Sequence, residues 1–226
     1  MHIVRLSCAA ASVAIAIAAV APAHAVPIAT LFNTGVDAGG LLLADNTIGD
    51  PHYTLITTPG TTTTDIRVRT GASGAPIPPW LADNTTSRWI GPNASQTLDG
   101  EVGDYMFRTT FSLVELNPGT ALITGRWTMD NTGTEIKLNG TSVVGACANT
   151  FDAWCNFSIT SGFQYGTNQL DFFVTNTGTL PNPIGLRVEM TGTADVPEPA
   201  SLAMLGLGMV GLGAARRKTR GTGANR

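Results

Sequence analysis

The chain of 226 residues is long enough for one medium-sized domain or two small ones once processed segments are removed. Its formal net charge of −3 hides an uneven distribution, because five of its thirteen basic residues follow residue 215. Residues 26–195 carry seven basic against fifteen acidic residues, a net charge of −8, so they lack the basic surface that nucleic acid binding requires.

The first 25 residues have the three parts of a secretory signal peptide. A short basic region at Arg5 precedes an apolar run over residues 6–20, and the small residues Ala23 and Ala25 form an Ala-x-Ala site. The apolar run is shorter than the roughly 20 residues of a membrane-spanning helix, which disfavours that alternative. We therefore predict export through the Sec machinery and signal cleavage after Ala25.

The first third of the remaining chain is rich in Pro, Gly, Asn and Thr, which predicts long loops with short strands. Binding residues concentrate on loops held by a rigid scaffold, and a carbohydrate site needs exposed aromatic rings beside orienting polar groups. We therefore expect Trp80 and Trp89, with Arg88 and Asp50 as polar partners, to line a shallow glycan site at one end of the domain. The alternative is that both indole rings are buried beneath the loops.

Five acidic residues of loop-like stretches are candidates for calcium binding, since Ca²⁺ takes six to eight oxygen ligands. They are Asp45, Asp50, Asp99, Glu101 and Asp104. Their spacing does not match an EF-hand loop, which favours solvated loop acids over a metal site. We predict no metal ligands.

From Tyr105 onwards, apolar and polar residues alternate with the period of two that is typical of half-buried strands. The pattern occupies the segments 105–113, 121–129, 135–140, 169–174 and 185–190, with turn residues between them. It predicts an all-β fold over residues 26–195, an antiparallel β-sandwich in which each sheet has one buried and one wetter face. Trp127 belongs to the buried set, whereas Arg187 and Glu189 belong to the wetter one.

Three of these segments resemble the galactose-binding-like jelly roll that accompanies many glycoside hydrolases and surface proteins. The pattern consists of a Y-x-F-R strand at 105–108, a strand ending in L-N-G at 138–140, and a G-x-N-x-L element at 166–170. The resemblance covers residues 105–190 and implies an architecture rather than a particular ligand.

Cys147 and Cys155 are the only cysteines that remain after signal cleavage. An even number of cysteines in an exported chain predicts a disulfide, whereas the alternative is a pair of free buried thiols. The C-x-x-C spacing of redox-active sites is absent.

No catalytic or cofactor-binding motif occurs in the sequence. His52 is the only histidine after signal cleavage, which excludes a zinc site built from several imidazoles, and the common hydrolase, metalloprotease and P-loop patterns are missing. The match of residues 206–211 to G-x-G-x-x-G lacks the required strand and helix. We predict no catalytic residue and no cofactor.

The last thirty residues contain three parts in a fixed order. They are the motif Val196, Pro197, Glu198 and Pro199, the apolar segment 200–215, and the basic residues Arg216, Arg217 and Lys218. A helix over the apolar segment would be about 24 Å long against a hydrocarbon core of about 30 Å. This predicts a short C-terminal transmembrane helix whose basic end stays in the cytoplasm.

This order resembles the PEP-CTERM sorting tail of exported proteins from exopolysaccharide-making bacteria. The resemblance implies recognition by exosortase, a membrane protease-transpeptidase, with Pro197, Glu198 and Pro199 marking the processing region. It also implies transient anchoring in the inner membrane before the protein reaches the cell surface or extracellular matrix. The alternative is an ordinary tail anchor.

The sequence thus predicts a signal peptide at 1–25, a β-sandwich at 26–195 and a sorting tail at 196–226. The function we expect is that of a non-catalytic, exosortase-sorted protein that binds carbohydrate or associates with exopolysaccharide in a biofilm matrix. The alternative is an exported hydrolase that cleaves polysaccharide with a pair of loop carboxylates.

Overall fold

A computed structural model describes residues 24–148, 150–197, 206 and 208–213. Residues His24–Pro197 form one compact unit. Residues 206 and 208–213 belong to a second unit and are helical and exposed. Among the described residues no helix has the length and apolar character needed to span a bilayer.

Several predicted features lie wholly or mostly outside the described residues. They are the signal region with Ala23, the motif residues Glu198 and Pro199, the anchor 200–215, and the basic residues Arg216, Arg217 and Lys218. The signal peptide and the membrane anchor therefore stay predictions.

Two antiparallel sheets form the unit His24–Pro197. The six-stranded sheet has the order β10-β7-β13-β4-β3, with β1 also paired to β13. Its strands are β1 (Ala25–Pro27), β3 (Ile66–Arg69), β4 (Trp89–Pro92), β7 (Leu122–Asp130), β10 (Cys155–Ile159) and β13 (Gly185–Asp195). The five-stranded sheet has the order β2-β6-β11-β8-β9. Its strands are β2 (Tyr53–Thr57), β6 (Gly103–Ser112), β8 (Thr132–Leu138), β9 (Thr141–Val144) and β11 (Thr167–Asn176).

Shorter elements complete the unit. The strands β5 (Asp99–Gly100) and β12 (Asn182–Pro183) pair with each other, and Gly71–Ser73 and Pro118–Thr120 are single turns of 3₁₀ helix.

The core lies between the inner faces of the two sheets. The ring of Phe172 on β11 lies 5.9 Å from that of Trp127 on β7 and 6.3 Å from that of Phe157 on β10, measured between centroids. The alternating apolar residues of the predicted segments fill this space, and their side chains are buried. The prediction of an antiparallel β-sandwich with Trp127 in its core is confirmed.

The outer face of β13 departs from its predicted exposure. Arg187 is fully buried and Glu189 nearly so, although both were expected on a wetter face. The loop 81–88 covers them: Arg187 donates hydrogen bonds to the Ser87 hydroxyl at 2.7 Å and to the Ala82 carbonyl at 2.8 Å. The expectation for this strand was wrong because a loop packs on the outer surface of the sheet.

Cys147 and Cys155 form a disulfide, as predicted, with a distance of 5.9 Å between their Cα atoms. The bond joins the segment after β9 to the first residue of β10. It therefore fixes the chain on both sides of a short loop that carries Trp154.

The two ends of the unit meet. Val26 on β1 pairs with Ala194 on β13, and the Val196 amide donates a hydrogen bond to the His24 carbonyl at 3.3 Å. The residues that flank the predicted signal cleavage site therefore lie beside the first residues of the sorting tail.

Candidate functional site

The structure places the two predicted platform residues in the interior. Trp80 is 3% exposed and Trp89 is 0% exposed, and their ring centroids are 4.4 Å apart. Each indole N–H has a protein partner, the Asp130 carboxylate at 2.9 Å for Trp80 and the Leu81 carbonyl at 3.0 Å for Trp89. The prediction that they form an exposed glycan platform is wrong, because both rings pack in a small hydrophobic cluster beneath the loops.

The predicted polar partners hold loops in place. Asp50 is almost buried and accepts hydrogen bonds from the backbone amides of Gly35, His52 and Tyr53 at 2.7, 2.8 and 3.1 Å. Burial raises the pKa of Asp50, and the three hydrogen bonds offset only part of that increase. The Arg88 side chain donates hydrogen bonds to the backbone carbonyls of Asn84 and Ser87, in the loop that directly precedes it.

A groove on the outer face of the six-stranded sheet offers a better candidate site. It has a volume of about 450 Å³ and crosses β10, β7 and β13. The register places Asn156, Arg126 and Glu189 side by side, and Thr124 beside Thr191. We call it the β7 groove, and its polar lining consists of Asn33, Thr124, Arg126, Asn156, Glu189 and Thr191.

A fixed charge network forms the floor of the β7 groove. The Glu189 carboxylate accepts hydrogen bonds from Arg126 Nε at 2.8 Å, from Asn84 at 2.5 Å and from Ser87 at 2.8 Å, and Arg126 Nη2 lies 2.6 Å from it in an ion pair. Burial alone would raise the pKa of Glu189, but these hydrogen bonds outweigh it and hold the pKa below its usual range. Burial lowers the pKa of Arg187 to about 10, with Glu189 3.9 Å away acting in the opposite direction. Arg187 and Glu189 are therefore both charged at neutral pH.

Trp154 stands at the edge of this network. The guanidinium of Arg126 lies 4.5 Å from the centre of its ring, and that of Arg187 lies 5.4 Å away. Such contacts between a cation and an aromatic face are attractive and restrict the Arg126 side chain. The partly exposed indole is itself positioned by the disulfide, since it directly precedes Cys155.

Other polar groups of the β7 groove are free to bind a ligand. The side chains of Thr124, Asn156 and Thr191 are exposed and form no hydrogen bond with the residues that the structure describes. An amide and two hydroxyls beside an immobilised guanidinium supply both donors and acceptors. This arrangement suits an uncharged, hydroxyl-rich surface.

The residues of the β7 groove were missed in the sequence. Their side chains come from strands far apart in the chain, and period-two alternation shows which side of a strand a residue occupies but not which strand lies next to it. The only available signal was the position of Trp154 beside a cysteine of the predicted disulfide.

The predicted loop acids do not form a metal site within the described ranges, where no group of three His, Cys, Asp or Glu residues could hold an ion. Asp45, for instance, accepts hydrogen bonds from the Thr70 amide and the Ser73 hydroxyl, and Glu101 accepts from Thr61. These carboxylates stabilise the loops in which they lie.

Among the described residues, two carboxyl groups have the raised pKa that a general acid needs. They are Asp50 and Asp130, and burial raises the pKa of Asp130 to about 6. Both are buried and hydrogen-bonded to loop groups, Asp130 to the indole of Trp80. Neither lines the β7 groove.

Comparison with protein families identifies the tail. Residues 195–218 match the PEP-CTERM protein-sorting motif, which confirms the predicted resemblance of the tail. The motif implies export and membrane-anchored sorting to the cell surface. A comparison with curated protein sequences finds no significant match.

Several solved structures resemble the body of the chain. A family 35 carbohydrate-binding module from Paenibacillus barcinonensis has a TM-score of 0.33 at 18% identity, covering 63% of this chain and 98% of its own. A family 35 carbohydrate-binding module from Clostridium thermocellum has a TM-score of 0.29 at 13% identity, covering 65% of this chain and 89% of its own. The CBM36-1 domain of a multidomain xylanase from the hindgut metagenome of Trinervitermes trinervoides has a TM-score of 0.30 at 11% identity, covering 65% of this chain and 96% of its own. At TM-scores this low, the likeness carries no argument about ligand or site, and the sandwich is established by the strand pairing itself.

Proposed function

We propose that the protein is an exported carbohydrate-binding protein that presents the β7 groove at the cell surface or in the extracellular matrix. The proposal rests on three exposed polar side chains that form no hydrogen bond with the described residues, those of Thr124, Asn156 and Thr191. They lie beside the guanidinium of Arg126, which Glu189 and Trp154 hold in place. Saccharide hydroxyls both donate and accept hydrogen bonds, and the polar side chains of this groove supply the acceptors and donors that such hydroxyls need. We propose exopolysaccharide as the partner, and the sorting motif supports this because the tail resembles those of exported proteins from exopolysaccharide-making bacteria.

The proposed maturation involves both ends of the chain. The Sec machinery exports the protein, and signal cleavage after Ala25 leaves Val26 as the first residue. The segment 200–215 then holds the chain in the inner membrane while exosortase acts at Pro197, Glu198 and Pro199. Intact-mass analysis of protein from the cell surface should show a chain that lacks both ends, and recovery of all 226 residues would contradict it.

The chemistry of the β7 groove favours binding over hydrolysis. A glycosidase needs two carboxyl groups, one of them protonated to serve as general acid. Glu189 is the carboxylate in the lining of this groove, and its lowered pKa keeps it ionised against Arg126. We therefore propose a non-catalytic role, in preference to an exported hydrolase.

A glycan array with the full chain in mild detergent tests the proposal. We expect a neutral polysaccharide fragment to bind, and Asn156→Ala to weaken that binding about tenfold, the effect of one or two lost hydrogen bonds. The matched control is Gln169→Ala, which removes an exposed amide from the other sheet. The absence of any glycan ligand, or equal weakening by both variants, would contradict carbohydrate binding in the β7 groove.

A further inference from the structure

A second groove lies on the outer face of the five-stranded sheet. It has a volume of about 270 Å³ and crosses β2, β6, β11 and β8. The register places Phe173 between Met106 and Glu135, with Asp104 on β6 two residues before Met106. We call it the β11 groove, and the lining residues that matter here are Thr57, Asp104, Met106, Thr134, Glu135 and Phe173.

The floor of the β11 groove is apolar and its edges are polar. Phe173 and Met106 are partly exposed, although they are neighbours on the central strands of the sheet. The threonine hydroxyls of Thr57 and Thr134 lie on the flanking strands. A flat apolar ring edged by hydroxyls matches the face of a sugar ring, which is apolar in the middle and hydroxylated at its rim.

The charges of the β11 groove favour a cation. Lys137 places its ammonium 4.7 Å from the centre of the Phe173 ring and 3.0 Å from the Glu135 carboxylate. This internal contact shows that an ammonium is accommodated between this ring and a carboxylate. Asp104 uses one carboxylate oxygen to accept a hydrogen bond from Thr175 at 2.6 Å, and its second oxygen has no hydrogen-bond partner among the described residues.

The two carboxylates that line the β11 groove and the neighbouring ammonium of Lys137 together carry a net charge of −1. The adjacent row does not change this balance, because Arg108 and Asp171 pair with each other at 2.6 and 2.8 Å. The uncompensated negative charge lies at Asp104, which is exposed.

We propose that the β11 groove binds a saccharide that carries a free amino group, with the sugar ring on Phe173 and Met106 and its ammonium paired with Asp104. The apolar floor and the Asp104 carboxylate together select this ligand. An N-acetylated sugar lacks the positive charge that pairs with the carboxylate, and a simple cation lacks the apolar ring face that packs on the floor. The proposal does not depend on the β7 groove.

Titration calorimetry with the full chain, at mildly acidic pH and low salt, tests this assignment. The probes are a β-1,4-linked glucosamine tetramer, whose amines are protonated, and its fully N-acetylated counterpart. We expect the native chain to bind the amine form at least about tenfold more tightly. Asp104→Asn should remove most of that preference, and the fold should persist because the amide oxygen still accepts the Thr175 hydrogen bond.

Asp65→Asn is the matched control, since Asp65 is an exposed loop carboxylate outside both grooves and its replacement changes the net charge equally. It should leave the preference for the amine form intact. Phe173→Ala should weaken binding of both tetramers, and a melting curve establishes that this variant is folded.

Equal binding of the two tetramers, or no binding of either, would overturn the assignment. So would equal losses in Asp104→Asn and Asp65→Asn, which would indicate a general effect of net charge. A tetralysine peptide that binds as tightly as the amine tetramer would show that charge alone is recognised. None of these outcomes bears on the glycan array result for Asn156→Ala.

Discussion

The two grooves lie on the outer faces of opposite sheets, and their chemistry is opposite. The floor of the β7 groove is a polar network in which Arg126 and Arg187 share one carboxylate, Glu189. The floor of the β11 groove is apolar, and two carboxylates outnumber Lys137. Inner faces must be apolar to form the core, whereas outer positions are free of that constraint. The two outer faces therefore differ in chemistry although they enclose one common core.

The sharpest contrast between the two sides is expected from their aromatic residues. Trp89 is fully buried under the loop that borders the β7 groove, whereas Phe173 is partly exposed in the β11 groove. Trp89→Ala should lower the free energy of unfolding by about 4 kcal/mol, because it leaves a cavity, and Phe173→Ala by about 1 kcal/mol. Urea denaturation measures both. Equal losses would mean that the two rings are equally buried, contrary to the structure.

The disulfide should support one groove only. Replacing Cys147 and Cys155 by Ser should cost about 2.5 kcal/mol, the chain-entropy value for a loop whose ends are eight residues apart. Because Trp154 lies in this loop and contacts Arg126, glycan binding in the β7 groove should weaken as well. The control measurement is binding of the glucosamine tetramer to the same variant, because the β11 groove lies on the other sheet and its affinity should not change. Peptide mapping without reduction checks the bond itself, and two alkylatable thiols in protein from the cell surface would contradict it.

A smaller difference should depend on pH and arise at the end of β7. The pKa of Asp130 is raised by burial from 3.8 to about 6, so the folded state binds this proton more tightly than the unfolded state does. The contribution of Asp130 to stability is therefore greatest below about pH 4 and is lost as the pH rises through about 6. Relative to Asp130→Asn, the native chain should lose about 1–2 kcal/mol between these values, a figure reduced for solvent screening. Thermal melts of both proteins across this range measure the difference, and parallel curves would show that the carboxyl titrates normally.

The sequence predicted those parts of the fold that local patterns determine. The alternation after Tyr105 identified the buried faces, and the even cysteine count identified the disulfide. The alternation also placed Arg187 on an outer face, but it carried no information about the loop that folds over that face. Exposure on a sheet depends on tertiary packing as well as on strand period.

The candidate site was predicted less well for a related reason. Proline and glycine around Trp80 correctly indicated loops, but composition does not show whether a ring on a loop points outward. Both indole N–H groups find protein partners, which makes burial of the rings favourable. Arg126 and Glu189 become neighbours only through the pairing of β7 with β13, a contact between segments distant in the chain.

The pairing of β1 with β13 determines where a label can be attached to this protein. A tag fused before Val26 would emerge beside Val196, at the start of the sorting motif, and would crowd the chain that exosortase must reach. Leu180 lies in an exposed loop that follows the last residue of β11. This strand of ten residues spans roughly 30 Å, and the loop lies at the end of it that is away from the junction with the tail. An epitope inserted there would report on the exported domain while leaving the junction with the tail unobstructed.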